Sequence, residues 1–337
     1  MPIEVLVTIP FSEKLINQFS SISPKINITA IPAPKASEIS AEIWARTEIL
    51  YTGHVLPGPE QVPSLRWIQF HFAGIDRYFD EPILQKDELL VTTLSGAAAP
   101  QVAEHVLAMM LALSHKLPAL LASQKKSEWS KDRFERFSPF ELNGKAVGVI
   151  GYGSIGRQIA RLLQPFGVTI LATKRNGFDP RDEGYIVEGT GDPLGDFVHR
   201  LYPPQALRSM LKECHFIVVT VPMTAETHNM VNATVFDVLK PGSYLIDVSR
   251  GGVVNHNDMV DAIKNNKLAG VALDVFPEEP LPRSSPLWQN PDIIITPHIS
   301  GGSQYYNERA AALFSENILR YLSGLQLYNL FDRKRGY

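Results

Sequence analysis

Cys214 is the single cysteine of the chain, so an internal disulfide and any CxxC metal or redox site are excluded. An excess of one charge is missing too. Lys and Arg number 32 against 35 Asp and Glu, a net charge of -3, which provides no basic footprint for a nucleic-acid backbone. The cluster Arg333, Lys334 and Arg335 reads as a solvated tail. No apolar run is long enough to span a bilayer. Residues 1–10 are apolar with Glu4 inside them and have neither a basic leader nor a small-residue cleavage site, so they read as a first strand. The expectation is a cytoplasmic protein with no metal, no membrane and no nucleic-acid partner.

What is present is ordinary globular material. Hydrophobic residues make up 45% and charged residues 20%, enough to fold around a core without staples, and 337 residues predict two domains. In the first hundred residues short apolar runs at 3–9, 26–31, 48–51, 67–70 and 89–92 alternate with polar, Pro-bearing connections, the rhythm of a small α/β domain. Residues 102–117 are apolar around most of a helical circumference, as in a buried helix, here one that connects the domains. From Lys145 onward Val/Ile-rich runs at 147–150, 168–172, 216–221, 243–248, 269–275 and 293–296 lack alternation, as strands covered on both faces do. The helices between them predict a parallel, doubly wound sheet. The helical segment 304–322 is expected to return to the first domain. The stretch 176–203, rich in Gly, Pro and Asp, is longer than such a unit needs and reads as a solvent-exposed insertion, with a lid or an oligomer arm as the alternative.

Gly151-Tyr152-Gly153-Ser154-Ile155-Gly156 follows a strand directly and opens a helix, and a second strand begins at Val168. In that setting Gly151 permits the tight turn, Gly153 the approach of a pyrophosphate, and Gly156 close packing of helix on strand. The N–H groups of the helix start then meet the phosphate charge. After the second strand an NAD-selective site carries an acid for the ribose hydroxyls. This chain has Thr173-Lys174-Arg175-Asn176, and two adjacent cations suit a ribose 2′-phosphate. NADP is therefore the expected cofactor, with NAD retained because Asp179 stands nearby in the insertion.

Three later strands end in polar residues at the edge where open α/β sheets build their sites: Arg250 in YLIDVSRGG, Asp274 and Glu279 in ALDVFPEE, and His298 in IIITPHISGG. Reduction of a 2-oxo acid needs a cation for the carboxylate and ketone, a proton donor for the developing alkoxide, and a hydride. Arg250 suits the first need and His298 the second. Glu279 is the best carboxylate to favour the imidazolium and orient the ring, and a nicotinamide supplies the hydride.

With these blocks the chain resembles the D-isomer-specific 2-hydroxyacid dehydrogenases over nearly its whole length. The resemblance implies a Rossmann doubly wound parallel sheet at 102–298 that binds NAD(P). It also implies a smaller flavodoxin-like α/β substrate domain, discontinuous over 1–101 and 299–337. Arg250, Glu279 and His298 match the family's catalytic residues. Gly151, Gly153, Ser154, Ile155 and Gly156, with Thr173, Lys174 and Arg175, take the cofactor-binding positions. So do Val221 and Pro222 of the family dipeptide, Val248 and Ser249 before the arginine, Asp274 near the carboxamide, and Gly301. FHFAGIDRY resembles the family's substrate loop and points to the N–H groups of Ala73 and Gly74. Two departures stand out: the acid after the second strand is missing, and Asp247 replaces the Asn that often precedes the catalytic loop.

The substrates expected first are glyoxylate or hydroxypyruvate. D-lactate and phosphoglycerate dehydrogenases are the neighbouring reading, and the region of His54, Phe72 and Arg77 discriminates them, since a phosphorylated acid would want several cations and only Arg77 is there. A redox-sensing corepressor on the same fold is a reading of another class. His105, inside an apolar helix, is read as structural, His71 is left open, and Met109 and Met110 are core filler. The helix 102–117 and the arm 118–140 with Trp129, Phe134 and Phe137 are too apolar for a connector alone and predict a homodimer.

Overall fold

Short Ile, Val, Leu and Trp runs become strands where their side chains can be covered on both faces. In the first part of the chain these are β1 (Ile3–Val7), β2 (Ile26–Ala30), β3 (Ile49–Thr52), β4 (Trp67–Phe70) and β5 (Leu90–Thr92). All pair in parallel in the order β2-β1-β3-β4-β5, the flavodoxin-like order. Helix α1 (Glu13–Ser20) buries Leu15 and Phe19, and α2 (Ala41–Arg46) buries Trp44 and starts at Ser40, whose side chain accepts the Ile43 N–H. The computed structural model describes residues 2–337. Its chain divides into two units, one holding the residues up to Ala98 together with Ser303–Tyr337, the other Ala99–Gly302.

The second unit begins with α3 (Ala99–Ser114), α4 (Leu117–Lys125) and α5 (Arg133–Phe137). The single helix expected at 102–117 stops earlier, because Lys116 adopts φ +54° and Pro118 has no N–H to continue the ladder. There follow β6 (Ala146–Ile150), α6 (Ser154–Leu163), β7 (Thr169–Thr173), β8 (Arg200–Tyr202), α7 (Leu207–Leu211) and β9 (Phe216–Val219). The unit closes with α8 (Ala233–Phe236), β10 (Ser243–Asp247), α9 (His256–Lys264), β11 (Leu268–Leu273) and β12 (Ile293–Ile295). The seven strands form one parallel sheet ordered β12-β11-β10-β9-β6-β7-β8. The strand order reverses between β6 and β9, the switch point of a doubly wound fold. β8 lies inside the stretch read from sequence as insertion alone. Among the described residues no single helix is long and apolar enough to cross a membrane.

The chain then returns to the first unit as α10 (Tyr306–Leu322). Phe314 of this helix meets Phe19, Tyr51 and Trp67 with ring centroids 5.2, 4.7 and 5.4 Å apart. Beyond it Phe331 N–H donates to the Val91 carbonyl at 2.8 Å, covering the outer side of β5.

His71, just past β4, shares a 2.7 Å hydrogen bond between Nδ1 and the Tyr51 hydroxyl. Burial lowers its pKa to about 4, so the ring is neutral in the folded unit. In the unfolded chain it takes up a proton below about 6.5. Stability therefore falls as pH drops from about 6.5 to about 4, by about 3 kcal/mol. His71→Gln should flatten that part of the profile in denaturant titrations. An unchanged acid slope would count against the assignment.

Candidate active site

The turn between β6 and α6 is held from several sides. Thr173 Oγ1 accepts the Gly151 N–H at 3.1 Å, and Thr220 Oγ1 donates to the Gly151 carbonyl at 2.8 Å. A Cβ added at Gly156 would lie 2.3 Å from the Gly151 carbonyl oxygen, so the third glycine is demanded by helix-on-turn packing. At Gly153 an added Cβ would meet nothing within 4 Å. The protein's own packing does not require glycine there; the space is open to an approaching group, at the start of a helix whose first N–H groups favour an anion. Gly153, Ser154 and Ile155 thus fit a pyrophosphate. Val221 borders the same turn, its Cγ1 2.9 Å from a Cβ built on Gly151, and Pro222 follows with its carbonyl accepting the Thr227 hydroxyl at 2.6 Å.

At the end of β7 the two cations diverge. Lys174 Nζ donates to the carbonyls of Asp179 and Arg181 at 2.6 and 2.5 Å, and its pKa is lowered by burial and by the nearby Arg157. Arg175 is half-exposed and reaches Glu226 at 3.6 Å, a loose surface pair that a ligand phosphate can outcompete. The sequence offered both side chains to the phosphate; the structure engages Lys174 with backbone carbonyls and pairs Arg175 with Glu226.

The carboxyl ends of β10, β11 and β12 carry the remaining groups. Asp247 closes β10, fully buried, and its Oδ1 accepts the Ser249 N–H at 3.0 Å and the Ser249 hydroxyl at 2.5 Å. Val248, buried, lies within the turn these bonds close. Arg250 Nη1 donates to the Ser249 carbonyl at 2.7 Å. The next residue, Gly251, lies so close to Phe276 that an added Cβ would be 1.9 Å from its carbonyl oxygen. This approach sets the arginine loop against the segment that carries Glu279. Glu279 Oε1 accepts the Phe276 N–H at 2.9 Å, and Oε2 takes His298 Nδ1 at 2.7 Å. With Nδ1 engaged by a carboxylate, Nε2 is the nitrogen left to give or take a proton. The pair is partly exposed, 41% for His298 and 35% for Glu279, so a small solute can reach it. Glu278, beside it, is exposed.

His298 itself sits at φ +49°, a left-handed conformation that needs support. Asp274 supplies it. One carboxylate oxygen accepts the Thr296 hydroxyl at 2.6 Å and the Ile299 N–H at 2.9 Å, the other the Ser300 N–H at 3.0 Å. Next in the chain, the Gly301 carbonyl accepts from Gln101 Nε2 at 2.7 Å. Ala73 and Gly74 belong to the first unit, in the bend after β4.

Residues 107–300 match the family described as D-isomer specific 2-hydroxyacid dehydrogenase, NAD binding domain. The chain belongs to this family. Its members are oxidoreductases that act on the CH–OH group of donors with NAD(P). A D-3-phosphoglycerate dehydrogenase of Methanocaldococcus jannaschii is 28% identical over 96% of the chain, which spans 58% of that relative's length. A glyoxylate reductase of Thermococcus litoralis is 30% identical over 81% of the chain and 79% of the relative. A solved D-isomer specific 2-hydroxyacid dehydrogenase family protein from Aeromonas salmonicida, 28% identical, superposes with a TM-score of 0.78 over 99% of this chain and 100% of that one.

Sequence reasoning passed over three supports of this dehydrogenase's site. Thr220 and Thr296 each stand just past a strand, where a hydroxyl is a small signal among many. Asp247 was seen but not interpreted; its carbonyl and carboxylate both serve the site, since the Asp274 N–H donates to its main-chain oxygen at 3.0 Å. His105, read as structural, has Nε2 3.4 Å from the Thr296 hydroxyl.

Proposed function

We propose that this dehydrogenase reduces a small 2-oxo acid, glyoxylate or hydroxypyruvate before larger ones, and uses NADPH before NADH. The observation that carries the reading is the Glu279–His298 pair at 2.7 Å, anchored one strand away from the Arg250 loop. The bound dinucleotide supplies the hydride. The Arg250 guanidinium would hold the acid's carboxylate and draw electron density toward the ketone oxygen. His298 would donate the Nε2 proton as that oxygen becomes an alcohol, and Glu279 would stabilise the charged ring beforehand. The second unit, 102–298 in the sequence reading, holds the dinucleotide. The first is the substrate domain, with the N–H groups of Ala73 and Gly74 as its carboxylate receptors. A steady-state panel of 2-oxo acids with both cofactors tests this. No turnover of any member would leave a binding or sensing role in its place.

Cofactor choice follows from the divergence of the two cations. Charge-assisted bonds to a 2′-phosphate are worth about 1.5–3 kcal/mol, so kcat/KM with NADPH should exceed that with NADH by roughly 10- to 150-fold. Arg175→Ala should remove most of this ratio, and Lys174→Gln should leave it nearly intact. Equal losses from both substitutions would show that Lys174 turns toward the phosphate.

Assembly as a homodimer belongs to the same proposal. Leu117, Leu120 and Leu121 on α4, with Trp129 and Phe134 beyond it, are exposed apolar side chains in one stretch of chain, the composition of a covered surface. Light scattering should give twice the chain mass at micromolar concentration. A monomer mass independent of concentration would refute it.

A further inference from the structure

Residues 174–199, between β7 and β8, hold almost no regular structure, yet they are knitted to the dinucleotide turn through two of its buried groups. Arg157, one residue past Gly156, is 0% exposed. A buried guanidinium needs partners on every side. It donates through Nη1 to the Asp192 carbonyl at 2.5 Å and through Nη2 to the carbonyls of Pro180 and Arg181 at 2.7 and 3.2 Å, while Nε, without a hydrogen bond among the described residues, forms an ion pair with Asp182 at 3.2 Å. Asp192, 2% exposed, is the second centre. Its carboxylate gathers the N–H groups of Gly195, Asp196 and Phe197 at 3.1, 2.8 and 3.0 Å.

The fourth donor to that carboxylate is the hydroxyl of Tyr152, at 2.5 Å. Tyr152 lies between the first two glycines of the turn, and the Arg157 guanidinium stands 4.6 Å from its ring centroid. Its N–H donates to the Thr173 carbonyl at 2.8 Å. Further along, Gln158 Oε1 in α6 accepts the Gly191 N–H at 2.6 Å, and Gln164, just past the helix, donates to the Phe197 carbonyl at 3.2 Å. The segment is therefore bound along one face of the helix that the turn opens, and its tightest attachment is to the turn itself.

We propose that residues 174–199 act as a clamp on the dinucleotide turn, with Asp192 and Arg157 as positioning residues. Through Tyr152 they hold the main-chain N–H groups of Gly153, Ser154 and Ile155 in the geometry that receives the pyrophosphate. This rests on the cofactor reading given above. A turn held in place before the cofactor arrives has less freedom to lose on binding, and the benefit appears as affinity. Neither residue touches the reacting atoms, so their removal weakens cofactor binding and spares the chemical step.

The test uses the full chain and NADPH itself, followed by nucleotide fluorescence with no acid present. Tyr152→Phe deletes one hydroxyl and keeps the ring, and Asp192→Asn removes the charge and keeps the shape. Each should raise the NADPH dissociation constant by roughly 5- to 20-fold, the scale of a bond to a buried carboxylate. The double variant should be no weaker than Asp192→Asn alone, since both act through one bond. In steady state KM for NADPH should rise while kcat at saturating cofactor stays within about twofold. Wild-type dissociation constants in both single variants, with only a lower Tm, would overturn the clamp and make the segment a stabilising element alone. If Asp192→Asn does not fold, Tyr152→Phe still decides. Failure of the wild-type chain to bind either dinucleotide would instead remove the cofactor reading, and the clamp with it.

Discussion

Replacing His298 with Ala should lower kcat by a factor on the order of 10² to 10⁴, the usual range for loss of a general acid, with a much smaller change in cofactor affinity. The imidazole has Nδ1 on Glu279, which leaves Nε2 to transfer the proton. In the reductive direction His298 gives its proton to the developing alkoxide, and in the oxidative direction it takes one back. Glu279→Gln removes the charge and one of the two acceptor oxygens, so that either Nδ1 or the Phe276 N–H loses its partner. With the ring less firmly oriented, kcat should fall, though by less than in His298→Ala. Arg250→Ala should damage KM and kcat together, because the guanidinium acts on bound acid and on the developing oxyanion. An unchanged kcat in Glu279→Gln, beside an inactive His298→Ala, would leave the histidine in place and take the positioning role away from Glu279.

Asp247→Asn should change the pH dependence of stability more than any other single substitution near the site. Burial pushes the Asp247 carboxyl up to about 7. The two bonds from Ser249 pull the other way, and the neighbouring Asp274 adds to the push. Its Oδ2 is buried with no hydrogen-bond partner among the described residues. Between about pH 4 and pH 7 the folded chain holds a proton here that the unfolded chain has released, so stability falls as pH rises through that window. It then levels off above it. The loss is on the order of 4 kcal/mol. An asparagine offers the same oxygen to Ser249 and does not ionise. Measured by denaturant titration at pH 4 and pH 8, the stability difference between variant and wild type should grow in the variant's favour by about that amount. A difference independent of pH would mean that Asp247 ionises as an ordinary carboxylate.

The two parallel sheets were legible in the sequence because strands buried on both faces must be runs of Val, Ile and Leu, and such runs stand out in a chain with 20% charged residues. Arg250, Glu279 and His298 were visible as polar groups that end those runs, where packing alone gives no reason for them. What stayed hidden depends on the path of irregular chain. β8 reads Arg-Leu-Tyr, too short and too polar to show as a strand. Lys174 beside Arg175 suggested two phosphate ligands, yet the insertion folds back to put two carbonyl oxygens on Lys174, and no local pattern announces that. Arg157 stayed hidden as well. It stands on the face of α6 next to Gly156 and Ala160, where a solvated arginine would be out of place, and its partners lie 23 to 35 residues further on.

The return of α10 to the first unit also bears on how the chain emerges from the ribosome. The rings of Phe19, Tyr51 and Trp67 are complete only when Phe314 arrives, and the whole of Ala99–Gly302 must be translated in between, roughly 10 to 40 s of synthesis. During that interval the nascent first unit has an unfilled aromatic core and an uncovered β5, while the second unit is contiguous and can close on itself as soon as it is made. The unit encoded first is thus the one finished last.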